Sequence, residues 1–375
     1  MLSMRSKQNK LNRSWIIYLF SVLMITGCID PIDPGLPGTL SETDLVVSGF
    51  ITNEDQPHRV VLSRSRPLNT RGEIEFETGA TVEVVDSNNN RHQLTEVAEG
   101  QYATNPVEFR SQVGESYQLR ITLQNGEEFE SDFQQLLPAI PMENLRYERN
   151  IRTELERDFE REQEFIDIVV DVDLAADPEY ATYEYRGTYE TEVTFQGNPF
   201  CWVDPALVPV DLEVGLVCYI FEWERLPLNI VETPDPILQD ATKAIAIPIE
   251  LDFKFLLGYQ MDIIKANLTE SYFEFLKELK GQQNLGGSIF DAPPTEIVGN
   301  VRNINNPNRP ALGYFSTQAI TIERIFIPEI FFEETADRHP INETLVPPRP
   351  DNPACCDCRL LPGAFTQQPD DWGNS

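Results

Sequence analysis

Positive charge is what this sequence most conspicuously lacks. Its 29 Lys and Arg stand against 61 Asp and Glu, a formal net charge of −32. Phosphate backbones and anionic lipid surfaces are held by clustered Lys and Arg, so the balance excludes nucleic acid as a partner. Histidine is scarce too: there are only His58, His92 and His339, and none stands beside a serine or cysteine. No G-x-S-x-G, H-E-x-x-H or phosphate-binding glycine loop is present. Paired carboxylates of a glycosidase depend on three-dimensional spacing, and this many acids guarantee chance pairs. The expectation is a non-enzymatic protein without a cofactor. Zinc is disfavoured as well, because only Cys355 and Cys358 have C-x2-C spacing and no second pair or histidine lies near them. The acids Asp171, Asp173, Asp177 and Glu179 lack the glycine turn and closing glutamate of a calcium loop and read as a solvated strand end.

A long apolar run is also missing. The longest, "WIIYLFSVLMITG", falls short of the roughly 20 residues that cross a bilayer. It follows Arg5, Lys7, Lys10 and Arg13 with no acid between them, which is the layout of a secretory signal. The run ends in Ile25, Thr26, Gly27 and Cys28, resembling the lipobox of bacterial lipoproteins. Small residues let a peptidase reach the backbone, and the Cys28 thiolate can take a diacylglycerol before cleavage makes it the new N-terminus. Several acyl chains anchor stably where one binds marginally, at ~0.8 kcal/mol per buried methylene. The expected partner of Cys28 is therefore the lipid bilayer. Ile29, not aspartate, follows it, which leaves the outer membrane as the expected address, with its cell-surface and periplasmic faces both open. Residues 28–42, rich in Pro, Gly and acid, suit a tether.

Hydrophobic content of 41%, with 21 Phe and 12 Tyr, is enough for packed cores. From 43 to 137 the chain reads as short alternating segments: Tyr117, Leu119, Ile121 and Leu123 fall on one face and Gln118, Arg120 and Thr122 on the other. Turn signals at 87–90, 99–100 and 125–126 separate them. This predicts a β-sandwich, and the order "GATVEVVD…EGQY…VGESYQLRITLQNGEEFES" resembles immunoglobulin- and transthyretin-like modules. "LLPAIPM" (136–142) breaks the pattern and reads as a joint. Residues 138–375 then predict a larger β-rich α+β domain. "IRTELERDFEREQEF" in it suits either a helix or an exposed hairpin tip. The clearest helix is "TESYFEFLKELKGQQ", with a stripe of Tyr272, Phe275, Leu276 and Leu279, a cap at Thr269 or Ser271 and an end at Gly281. Asn300 and Asn303 read as turn-forming or backbone-bonding side chains, and Gly299 and Gly313 as close backbone approaches.

The order "LVVSGFIT", "GATVEVVD", "GQY", the helix, "FDAPPTEIVGNV", "LGYFS" and a terminal "CCDCR…PG…PDDW" resembles a Bacteroidota lipoprotein family, domain of unknown function 4249. The likeness runs from about residue 30 to Trp372. It implies surface or outer-membrane work beside a TonB-dependent transporter and brings no catalytic residues with it. The usual ending resembles "PDFW", where this chain has Pro369, Asp370, Asp371 and Trp372.

With Cys28 acylated, Cys201, Cys218, Cys355, Cys356 and Cys358 remain. Outside the cytoplasm disulfides persist, so stapling is expected: a Cys201 to Cys218 bridge, worth roughly 3 kcal/mol in the chain-entropy model, or a bridge from that region to the tail. Five thiols cannot all pair. Trp202 and Trp223, with Tyr219 and Phe221, are candidate binding aromatics near these cysteines. Tyr219, Phe221 and Trp223 also alternate on one strand face, which is the pattern of a core. The function expected is an accessory or ligand-binding component of a TonB-dependent uptake system; the alternative is a structural or assembly component of an outer-membrane complex.

Overall fold

The alternating segments form strands, and the computed structural model of the chain is mostly β with one α-helix among its described residues. Described are residues 44–66, 72–156, 159–175, 177–192, 200–203, 206–209, 216–223, 228–235, 242–283, 297–330 and 358–373. Of 154–156, 159–161, 200–203, 206–209, 283 and 360, only the backbone is described.

The first stretch supplies β1 (Leu45–Thr52), β2 (Arg59–Arg64), β3 (Thr81–Asp86), β4 (Arg91–Gln93), β5 (Thr95–Ala98), β6 (Gln101–Ala103), β7 (Ser116–Thr122), β8 (Glu128–Ser131) and β9 (Gln134–Gln135). Longer strands follow: β10 (Arg146–Glu156), β11 (Phe159–Asp171) and β12 (Glu179–Glu192). Then come β13 (Phe200–Val203), β14 (Ala206–Pro209), β15 (Val217–Glu222), β16 (Ile230–Thr233), β17 (Lys243–Glu250) and β18 (Tyr259–Leu268). Helix α1 (Glu270–Gln283) precedes β19 (Val301–Asn303), β20 (Leu312–Ile327) and β21 (Ala364–Phe365).

One sheet of ten strands runs through the molecule in the order β21, β15, β12, β18, β20, β1, β2, β6, β5, with β16 also on β12. Two smaller sheets cover its inner face. Six strands (β19, β8, β7, β3, β4, with β9 on β7) close the first core, and β10, β11 and β17 close the second. The strand β20 serves both cores, because its odd residues all face inward. Phe315 and Ala319 fill the first core with Val47, Leu119 and Tyr102. Ile325 and Ile327 fill the second with Tyr185, Tyr259, Ile166 and Ile247. The join is the parallel pairing of β1 with β20, from Val46↔Leu312 to Thr52↔Gln318. Residues 301–303 and 312–319, late in sequence, thus pack with the first sandwich.

The proline-bearing segment after β9 runs along the inner face between the two covering sheets. Its backbone is held by side chains of the long sheet: Ile140 N–H donates to Asn267 (3.1 Å), Met142 N–H to Glu323 (2.9 Å), and buried Lys265, paired with Glu179, donates to the Pro141 carbonyl (3.4 Å). The charged stretch 151–165 is hairpin, not helix: β10 and β11 pair from Arg146↔Val169 to Glu156↔Phe159. Asp171 at its base accepts from Arg146 (2.7 Å) and Asn144 (3.0 Å).

Helix α1 lies on the outer face. Phe273 and Leu276 are its buried residues, packed on Ala266, Leu268, Ile320 and Tyr180. Phe273 falls outside the stripe expected from spacing, which centres on Tyr272 and Phe275. Those two sit at the flank against Tyr314, 4.9 Å from each ring. Gly281 lies inside the last turn, and the helix continues to Gln283. The asparagines behave as expected. The Asn300 side chain bridges both backbone groups of Phe315 (2.8 and 2.9 Å), and Asn303 accepts from the N–H groups of Asn305 and Asn306.

Candidate functional site

Strand β15, "VCYIFE", is apolar on both faces, and the two faces meet different neighbours. Its even residues point inward. Ile220 enters the second core, and Glu222 accepts from the Tyr259 hydroxyl and from Lys254 Nζ (3.0 Å). Burial first, and the Glu222 charge after it, push the Tyr259 phenol well above its usual range, so it remains a neutral donor. Cys218, also even, is fully buried and joined to Cys358 in a disulfide with Cα atoms 6.0 Å apart, 140 residues away in sequence.

That bridge brings the tail to the edge of the long sheet. Downstream of Cys358, β21 pairs with β15 through Tyr219↔Phe365 and Ile220↔Ala364, and the Phe221 N–H donates to the Gly363 carbonyl (3.1 Å). The chain then crosses the outer face. Trp372 packs edge-on against Tyr219 (5.0 Å) and Phe326 (5.3 Å), and its side chain hydrogen-bonds Glu190. Burial under the tail raises the Glu190 carboxyl, with the Trp372 bond opposing it. Trp372 therefore docks without the aromatic that usually precedes it in the resembled ending.

The odd residues of β15 correct one expectation. Tyr219 is covered by Trp372, but Phe221 is 46% and Trp223 60% exposed, and Phe365 across the strand is 36% exposed. They are not core. The tail forms only a two-residue strand, so its cover ends at Tyr219. The result is a strand end fixed from inside by a disulfide and by the Tyr259, Glu222 and Lys254 contacts, with aromatic rings displayed outside. Aromatics held rigid in this way are the residue type enriched at protein interfaces.

The other sequence candidates divide. Cys201 and Trp202 lie on β13, paired with Val208 and Leu207 of β14, and their side chains are outside the described residues. Cys28, Cys355 and Cys356 are outside them too. The bridge found is the one from the Cys218 region to the tail. Sequence reasoning missed Phe365 and the contact of Trp372 with Phe326. The legible signal was β15 itself, since a strand apolar on both faces needs cover on both, and only a short tail was available for the outer one.

The sequence pattern of the family described as Domain of unknown function (DUF4249) matches residues 29–324. No curated protein matches the chain at a significant level. Among solved structures, a chain from the "Complete structure of manganese lipoxygenase of Gaeumannomyces graminis and partial structure of zonadhesin of Komagataella pastoris" is 7% identical, covering 61% of this chain and 89% of that one, with a TM-score of 0.10. A likeness at that level carries no argument.

Proposed function

We propose that this chain, which belongs to the DUF4249 family, works by binding: a non-enzymatic lipoprotein, tethered to the outer membrane through acylated Cys28, that docks a protein partner at the exposed end of β15. The partner we propose is a TonB-dependent transporter, as the sequence resemblance implies, with the protein as its accessory on the cell surface. The observation that carries the reading is the exposure of Phe221 on β15 and of Trp223 just past its end, with the inner side of the strand locked by Cys218 and Glu222. A rigid display lowers the ordering cost of association. The charge balance fits a protein partner, because it opposes nucleic acid and anionic lipid.

The test is gentle detergent extraction of the native protein through a C-terminal tag, with mass spectrometry of what co-purifies, for wild type and for Phe221→Ala/Trp223→Ala. A TonB-dependent transporter in stoichiometric yield with wild type, reduced at least tenfold in the variant, is the expected result. Other envelope machinery in its place would favour a structural or assembly role. A transporter retained undiminished by the variant would remove β15 as the docking site.

A further inference from the structure

Far from β15 in sequence, the first sandwich carries a cleft of about 400 Å³ between the β3 to β4 turn and the loop before β7. That is the size of pocket that takes a small molecule, about 300–1,000 Å³. Its walls are preformed. Asp86 is committed to the turn, accepting from the backbone N–H groups of Asn88 (2.9 Å) and Asn90 (2.8 Å) and from the Asn90 side chain (2.7 Å). The opposite loop is pinned by the Phe109 N–H to the Asn105 carbonyl (2.9 Å) and by the Gln112 N–H to the Tyr117 hydroxyl (2.7 Å). Glu115 takes the Ser87 hydroxyl.

The groups left over are donors and acceptors together. Tyr117 is 2% exposed, and among the described residues its hydroxyl accepts a hydrogen bond but donates none. A buried phenol O–H without an acceptor is costly unless water or a ligand supplies one. The side-chain amides of Asn88 and Gln112 and the ring nitrogens of His92 likewise make no hydrogen bond within the described residues. Among the described residues Arg110 has only a loose ion pair with Asp55 at 3.9 Å. A ligand must therefore offer both acceptors and donors, as hydroxyl groups do. It should not be an anion, because Asp86, Glu108 and Glu115 line the same cleft in a strongly acidic chain. A cation is also a poor match, since two of those carboxylates are already engaged. What remains is a neutral, oxygen-rich molecule. His92, tilted on Phe109 at 4.9 Å, and Val107 at the rim supply the small apolar surface against which a ring's C–H face can lie.

We propose that this cleft is a saccharide-binding site for a hexose or N-acetylhexosamine ring, held by Tyr117, Gln112, Asn88 and Arg110. The proposal is independent of the docking role of β15.

Saturation-transfer NMR tests it on the full lipidated chain in a detergent without a sugar headgroup. The probes are glucose, galactose, mannose, N-acetylglucosamine and their disaccharides at millimolar concentration, with putrescine as a control and inorganic phosphate, which carries no observable proton, added as a competitor. At least one saccharide is expected to receive saturation, with the signal at least fivefold weaker in Tyr117→Phe. That variant keeps the buried ring but takes the hydroxyl from the Gln112 N–H, so Asn88→Ala/Arg110→Ala, which leaves the loop bonds intact, is run beside it and is expected to weaken the signal equally. No transfer to any saccharide, transfer undiminished in both variants, transfer to putrescine in preference, or loss of the saccharide signal when equimolar phosphate is added would each overturn the proposal.

Discussion

At the scale of residues, His58 couples the first core to pH. It is 4% exposed, its Nδ1 accepts the Thr52 N–H (3.3 Å), and burial pulls its pKa from 6.5 down to about 4. The unfolded chain binds a proton here near pH 6.5, while the folded chain refuses it until about pH 4. Its contribution is thus complete above pH 6.5, falls as pH drops through that window and is lost below it. At about 1.4 kcal/mol per unit, urea titrations between pH 7.5 and 4.5 should lose roughly 2 kcal/mol from this group, and His58→Asn, which keeps an acceptor in place, should flatten that part of the curve. A second residue-scale constraint is steric. Gly313 has φ +87°, and a Cβ there would stand 2.1 Å from the Val47 carbonyl oxygen, in the ladder that joins the two cores. Gly313→Ala should lose about 3 kcal/mol or more in denaturant melts, from a left-handed backbone combined with a backbone clash.

At the scale of elements, the helix and the tail are held differently. Helix α1 is held by the buried side chains Phe273 and Leu276 on the outer face, so Phe273→Ala should cost about 3–5 kcal/mol. Glu274→Ala, which removes only an exposed pair with Lys277, should stay within about 0.5 kcal/mol. The tail has little area to bury and is held by a covalent bond. Closing a 140-residue separation is worth about 5 kcal/mol in the chain-entropy model. In Cys218→Ala/Cys358→Ala, trypsin should cut after Arg359 at least tenfold faster than in oxidised wild type, with the C-terminal fragment read by mass spectrometry; equal rates would mean that Trp372 and β21 alone hold the tail. Much of this level was legible. The alternation in 116–123 became β7, whereas the charged stretch, which suited helix and hairpin alike, was settled as a hairpin only by its pairing. The helix was found and Leu276, Tyr272 and Phe275 do pack on the sheet, but Phe273, its most buried aromatic, was missed. Spacing alone could not choose between Phe273 and Phe275, because the helix carries aromatics around more than one face and the sheet beneath selects which of them is covered.

At the scale of the whole molecule, one sheet serves both cores, and β20 carries Phe315 in one and Ile325 in the other. Unfolding either core strips inner-face cover from the same strand. Fluorescence and far-UV circular dichroism in urea should therefore trace coincident single transitions; two separated transitions would show that the parallel seam of β1 and β20 transmits little. By itself the sequence determined what local pattern determines: the β-rich class and the strand alternations. Only the tertiary structure decided which cysteine meets Cys218, which aromatics of β15 stay exposed, and that Leu312–Ile327 joins β1. Those are contacts between residues more than a hundred positions apart, and the periodicity of a strand says which face a side chain takes, not what is packed against it.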